Sequence, residues 1–164
     1  MRRRWFLALT VLLTGCALRV TLTGDEIERE LSRSFPVTRE YSVLSVELSN
    51  PKVVLRAGSD RIGLKLDASA GVAILKVSGT VSVEGRLRYE PEPRLFYLDD
   101  PQVVALQLPG LPETQHQQVL DTINVAVRAA LPTVPIHRLE NGNAKYFLKA
   151  VRVEDGRVIA ELGL

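Results

Sequence analysis

Residues 73–89 read AILKVSGTVSVEGRLRY and form the clearest strand pattern of the sequence. Its odd-numbered positions are apolar or glycine, and its even-numbered positions, apart from Ile74, are polar. Such alternation predicts a β-strand with one face towards the core. At roughly 3.3 Å per residue the strand would span about 55 Å, far more than usual, so we expect it to twist and bend. Gly79 and Gly85 lie on the apolar face, where a missing side chain permits a bend or the close approach of a helix or ligand.

A short helix is predicted on the N-terminal side of the strands. Its apolar positions recur every four residues: Ile27, Leu31 and Phe35. That spacing is typical of an amphipathic helix. Thr23 and Glu26 match a capping box at its start, and Pro36 ends it.

A second long strand is predicted over residues 94–108, interrupted at Asp99–Pro101. A second helix follows, with apolar positions every four residues: Val119, Ile123, Val127 and Leu131. We expect Thr114 and Gln117 to form its capping box and Pro132 to end it.

The last part of the chain predicts a hairpin, Tyr146–Val153 and Val158–Leu162, around the turn residues Asp155 and Gly156. The order helix, strands, helix, hairpin predicts an α+β fold with a mostly antiparallel sheet. The apolar stripes of both helices would then be buried against the long one-faced strands.

The first residues have the organisation of an export signal. Arg2, Arg3 and Arg4 precede an apolar run from Trp5 to Leu13, and small residues follow. The run is about nine residues long, whereas a membrane-spanning helix needs about 20. We therefore assign residues 1–15 to a signal peptide and exclude them from the fold.

The end of this signal resembles the bacterial lipobox, with Leu13-Thr14-Gly15-Cys16. The resemblance implies a diacylglycerol on the Cys16 thiol, cleavage before Cys16 and acylation of the new amine, and several acyl chains anchor a protein stably. Ala17, where an Asp would mark inner-membrane retention, implies the outer membrane of a Gram-negative bacterium, on the inner leaflet facing the periplasm. We expect a tether over residues 16–22 and a single domain over residues 23–164. The alternative for Cys16 is a buried free cysteine or part of an uncleaved anchor.

Composition and motifs argue against several functions. The formal net charge is +2, but without the three N-terminal arginines 18 basic residues face 19 acidic ones, which leaves no basic field for nucleic acid. A single cysteine excludes an intrachain disulfide framework. His116 and His137 lack a metal-binding spacing, and the adjacent Asp99 and Asp100 would point to opposite faces of a strand, so we expect a turn or bulge there. We therefore predict no enzyme, no metal site and no cofactor.

The parts together resemble the YceB-like bacterial lipoproteins. The shared features are a lipobox, a short helix, a long glycine-containing strand, a Leu-Pro helix and a terminal hairpin: Cys16, Ile27–Phe35, Ala73–Tyr89, Leu111–Leu131 and Lys149–Leu162. The resemblance implies a tubular lipid-binding fold, in which a long, strongly curved antiparallel sheet wraps the helix of the C-terminal half. It also implies a lipid or other apolar ligand in a groove between sheet and helix.

The aliphatic character of the domain agrees with such a ligand, because acyl chains are recognised by burial, at about 0.8 kcal/mol per CH₂. We expect six residues of the long strand and second helix to line the groove: Val77, Val81, Val83, Leu87, Ile123 and Val127. An ordinary filled core is the alternative, and the pattern favours it for any one of them. The corresponding alternative function is an envelope interaction or assembly lipoprotein that holds a protein partner and no ligand.

Overall fold

The computed structural model describes residues 17–41, 44–72, 75–110, 112–140 and 145–164. The N-terminal half contains β1 (Leu18–Thr23), α1 (Gly24–Ser34), β2 (Val37–Tyr41), β3 (Leu44–Val54), β4 (Arg61–Val72) and β5 (Leu75–Glu90). The C-terminal half contains β6 (Leu95–Gln107), α2 (Glu113–Ala130), a 3-10 turn (Leu131–Thr133), β7 (Pro135–Arg138), β8 (Phe147–Glu154) and β9 (Arg157–Gly163).

The strands form two antiparallel sheets. The larger sheet has the order β2-β3-β4-β5-β6-β7 and curls into a half-barrel packed against α2, and the smaller has the order β1-β9-β8. The predicted α+β class, with a long curved sheet around the second helix and a short helix near the N-terminus, is confirmed. No helix in the described ranges combines the length and the apolar character needed to cross a membrane.

Strand β5 is the long strand that the alternating pattern predicts. It runs over Leu75–Glu90, while residues 73 and 74 of the quoted stretch lie outside the described residues. From Val81 to Tyr89 its odd-numbered side chains are buried, and those of the intervening residues are at least partly exposed. The apolar face of β5 therefore contributes to the same hydrophobic core as Ile123 and Val127 of α2.

Two irregularities mark the pairing of β5 with β6. The register shifts between Ser82 and Val83 and again between Glu84 and Arg86. The second shift lies opposite Asp100 and confirms the bulge expected before Pro101. A Cβ atom on Gly79 would lie 1.9 Å from the Gln107 carbonyl oxygen. The missing side chains of Gly79 and Gly85 thus make room for β6, rather than for the helix or ligand considered from the sequence.

The two helices begin differently. In α1 the predicted capping box is present: Thr23 Oγ1 accepts a hydrogen bond from the Glu26 N–H at 3.2 Å, and the Thr23 N–H donates to Glu26 Oε2 at 2.8 Å. This backbone hydrogen bond lowers the pKa of Glu26. The capping box predicted for α2 is wrong, because the helix begins at Glu113 and Thr114 already lies inside its first turn.

The tether expected over residues 16–22 is shorter than predicted. Leu18–Thr23 forms β1, which pairs with β9 along its whole length, and Val20 and Leu22 are buried. Every second residue of β1 is apolar, as expected for a strand with one buried face. Six residues are too few, however, to distinguish a strand from a tether by this pattern alone. The folded domain therefore begins immediately after Ala17.

Candidate ligand-binding groove

A groove of about 320 Å³ lies between the end of β6 and the beginning of α2. Its apolar lining includes side chains from β6, the residue just after it and α2: Val103, Val104, Leu106, Leu108 and Leu120. His116 and Gln117, from the first turns of α2, also line the groove and are exposed. The volume lies at the lower end of the range of about 300–1,000 Å³ that is typical of small-molecule sites.

The groove exists because neither β7 nor the first turns of α2 fully cover the end of β6. Strand β7 pairs with β6 only over Leu95–Tyr97, so beyond Tyr97 the described residues give β6 a strand neighbour on one side only. Residues 113–118 of α2 read ETQHQQ and contain no large apolar side chain. The first apolar residues of the helix are Val119 and Leu120. The end of β6 is therefore only partly covered: Val104 is exposed, whereas Val103 and Leu106 are half-buried against the core.

The structure brings most of the predicted lining residues together, but within the filled core. Five are buried in one continuous core: Val81, Val83, Leu87, Ile123 and Val127. Val77 is half-buried near the start of β5. None of the six lines the groove beside β6. Their role in ligand binding stays a prediction, and the groove is made by the same helix together with the next strand of the sheet.

The sequence carries a signal for the groove in the contrast between neighbouring elements. Residues 103–108 read VVALQL and are mostly apolar, whereas the first two turns of the helix that follows are polar. An apolar strand run that outlasts the apolar stripe of its covering helix predicts an uncovered apolar surface. Periodicity within each element, taken alone, does not reveal this mismatch.

The groove combines apolar walls with a polar side. Gln117 donates a hydrogen bond from Nε2 to Asp121 Oδ1 at 3.0 Å on the exposed part of α2. Val104 is 52% exposed, which is high for a large aliphatic side chain beside other apolar residues. Such an arrangement can bury the chain of an amphiphile along β6 while its polar head stays beside the helix.

Of the titratable residues considered from the sequence, His116 lines this groove, whereas His137, Asp99 and Asp100 do not. His137 lies on β7, half-buried with its ring centroid 6.3 Å from that of Phe96, and burial lowers its pKa. The Asp99 carboxylate lies 3.5 Å from Arg88 Nε. No group of three or more His, Cys, Asp or Glu side chains in the described part of the chain could hold a metal ion. Cys16, the predicted lipidation site, lies outside the described residues.

Fold and groove together define a class: an α+β protein with a half-barrel sheet, a helix inside its curve and an open apolar groove at one end of that helix. The chain belongs to the family described as "Protein of unknown function (DUF1439)", which matches residues 22–157. Among curated proteins, the comparison found no match. The family match runs from within β1 to the first residue of β9, so it includes the groove and most of the core, but not the core residues of β9.

Proposed function

We propose that this protein is a YceB-like lipoprotein that binds a lipid or other apolar ligand in the groove between β6 and α2, without catalysing a reaction. It is anchored through acylated Cys16 to the inner leaflet of the outer membrane of a Gram-negative bacterium and faces the periplasm. The observation that carries the proposal is the uncovered apolar groove of about 320 Å³. An acyl chain in this groove gains about 0.8 kcal/mol for each CH₂ that it buries.

The polar part of the groove favours an amphiphile over a plain hydrocarbon. His116 and Gln117 stand on the solvent-exposed first turns of α2 and offer hydrogen-bonding groups. The apolar residues of β6 offer only contact area. A fatty acid or phospholipid acyl chain satisfies both sides, because its chain is recognised by burial and its head by a few polar groups.

A tryptophan reporter tests this proposal directly. Trp5 is the only tryptophan of the chain and lies in the predicted signal, so a single tryptophan in the domain is an unambiguous probe. Val104→Trp places the indole in the groove. Val125→Trp is the matched control, because Val125 is 53% exposed and lies on α2 but does not line the groove. We expect dibromostearic acid to quench Val104→Trp saturably and Val125→Trp only weakly.

A blocking variant sharpens the same test. Leu106→Asp introduces a carboxylate among the apolar walls, and we expect it to weaken fatty-acid binding by at least about tenfold, because a charge next to a buried chain is costly. Unbrominated stearic acid should restore the fluorescence of Val104→Trp by competition. Equal quenching of the two tryptophan positions, or no quenching of either, would contradict the groove as the binding site.

One observation favours the second candidate, an envelope interaction or assembly protein that binds a protein and no ligand. Beyond Tyr97 the outer edge of β6 has no strand neighbour in the described residues, and an open edge accepts an extended segment of a partner. This candidate predicts one stoichiometric envelope protein in a crosslinked pull-down and no co-purifying lipid. The lipid-binding proposal predicts co-purifying lipid and no stoichiometric protein partner.

A further inference from the structure

The two ends of the smaller sheet differ in their surroundings. The end at the β8–β9 turn is held by the loop between β3 and β4, since the Gly58 N–H donates to the Val153 carbonyl oxygen at 2.8 Å and the Val153 N–H donates to the Ser59 carbonyl oxygen at 2.9 Å. These bonds join the smaller sheet to the larger one. The opposite end carries the first residues of β1 and β8.

This opposite end, called here the anchor end, is defined by Leu18, Phe147, Lys149 and Leu164. Residues of β1 and β8 lie close together here, because Leu18 pairs with Leu162 and Phe147 pairs with the next residue of β9, Gly163. The Phe147 side chain is 60% exposed, and Leu164 is exposed as well. An exposed aromatic side chain beside other apolar residues marks a contact surface.

Lys149 adds a positive charge to the same end. Its aliphatic stem lies along β9, because a Cβ atom on Gly163 would be 2.9 Å from Lys149 Cε. Glu161, the acidic residue of β9, is already paired with Arg19 and Arg152. Among the described residues Lys149 has no ion pair, so its ammonium group is available to an anionic surface.

Covalent geometry places the predicted lipidation site close to the anchor end. Cys16 is two residues before Leu18, and consecutive Cα atoms are about 3.8 Å apart, so the two Cα atoms are separated by at most about 8 Å. Because β1 begins at Leu18 and is fully paired with β9, no long tether separates the acyl chains from the folded domain.

We propose that the anchor end is seated on the lipid bilayer, with Phe147 in the boundary between headgroups and acyl chains and Lys149 against anionic headgroups. This inference rests on the acylation of Cys16 in the proposed function and is independent of the groove. Phenylalanine and leucine at that boundary, with lysine beside them, form the combination found on interfacial membrane-binding surfaces. The domain is then held in one orientation rather than swinging on a tether.

The test uses the lipidated mature chain, reconstituted into vesicles of phosphatidylethanolamine and phosphatidylglycerol that contain phosphatidylcholine with brominated acyl chains. Phe147→Trp reports on the anchor end. Val54→Trp is the control, because Val54 is 42% exposed on β3 of the larger sheet. We expect the bromines to quench Phe147→Trp several-fold more strongly than Val54→Trp, and we expect Lys149→Glu to reduce that quenching at low salt.

The outcomes separate the inference from the proposed anchor. If the chain floats with the vesicles and Phe147→Trp is unquenched, or is quenched no more than Val54→Trp, the seating of the anchor end is overturned and the acyl anchor stands. If the chain does not float with the vesicles, both are overturned. Fatty-acid quenching of Val104→Trp reports on the groove and does not depend on either result.

Discussion

Replacing Gly85 with alanine is expected to lower the free energy of unfolding by about 2–3 kcal/mol. The new Cβ atom would lie 2.5 Å from Leu98 Cγ and 2.9 Å from the Asp99 carbonyl oxygen, both closer than atoms can approach. Leu98 is buried, and Asp99 lies at the bulge of β6. Neither residue can therefore move without disturbing the pairing of β5 with β6. Overpacking of this kind typically costs about 1–3 kcal/mol.

The matched control is the same substitution at Gly24. There the nearest atom to a new Cβ would be Val53 Cγ1 at 3.8 Å, an ordinary contact. Gly24 is the first residue of α1, where alanine is expected to be neutral or to stabilise the protein by up to about 1 kcal/mol. Urea denaturation followed by circular dichroism measures both variants. Similar midpoints for Gly85→Ala and Gly24→Ala would contradict the role assigned to the close approach of β6.

Replacing Cys16 with serine is expected to abolish acylation completely. A hydroxyl group does not substitute for the thiol that accepts the diacylglycerol, and by resemblance to bacterial lipoproteins the signal over residues 1–15 would then stay attached. Metabolic labelling with an alkyne analogue of palmitate measures the loss of the lipid, and the mass of the intact chain measures the retention of the signal. The effect is all or none, because Cys16 is the only cysteine of the chain.

Ala17→Asp is the matched control for the proposed lipidation. It leaves Cys16 in place, so the label should be incorporated as in the unmodified chain. By the same resemblance, the protein should move from the outer-membrane fraction to the inner-membrane fraction. Label on Cys16→Ser at the unmodified level would contradict the lipobox assignment, whereas full labelling of Ala17→Asp without a change of fraction would contradict only the assigned location.

The features of the fold that local physics determines were predictable from the sequence. The alternation in residues 75–89 predicts β5, the spacing of Thr23 and Glu26 predicts the start of α1, and Asp155-Gly156 predicts the last hairpin. Each of these signals lies within a few residues of the structure that it determines. The α+β class follows from the order of the elements.

The groove was not predictable in the same way, because it depends on how two elements overlap. Periodicity identifies residues that are buried, such as Val83 and Ile123, but does not tell whether protein or ligand buries them. The run over residues 103–108 is only partly covered because β7 pairs with β6 over three residues and α2 begins with polar turns. Both causes concern elements that are neighbours in space. Strand β1 was missed because six residues carry too weak a pattern without their partner β9.

In the proposed function, the groove between β6 and α2 holds an amphiphile with an acyl chain. Native mass spectrometry of residues 17–164, purified from bacterial cells and followed by organic extraction, tests it most directly. We expect a discrete fatty-acid or phospholipid adduct that is lost in Leu106→Asp and kept in Val125→Asp, with both variants folded. A clean mass of the protein alone, with no uptake on incubation with phospholipid or fatty acid, would contradict it.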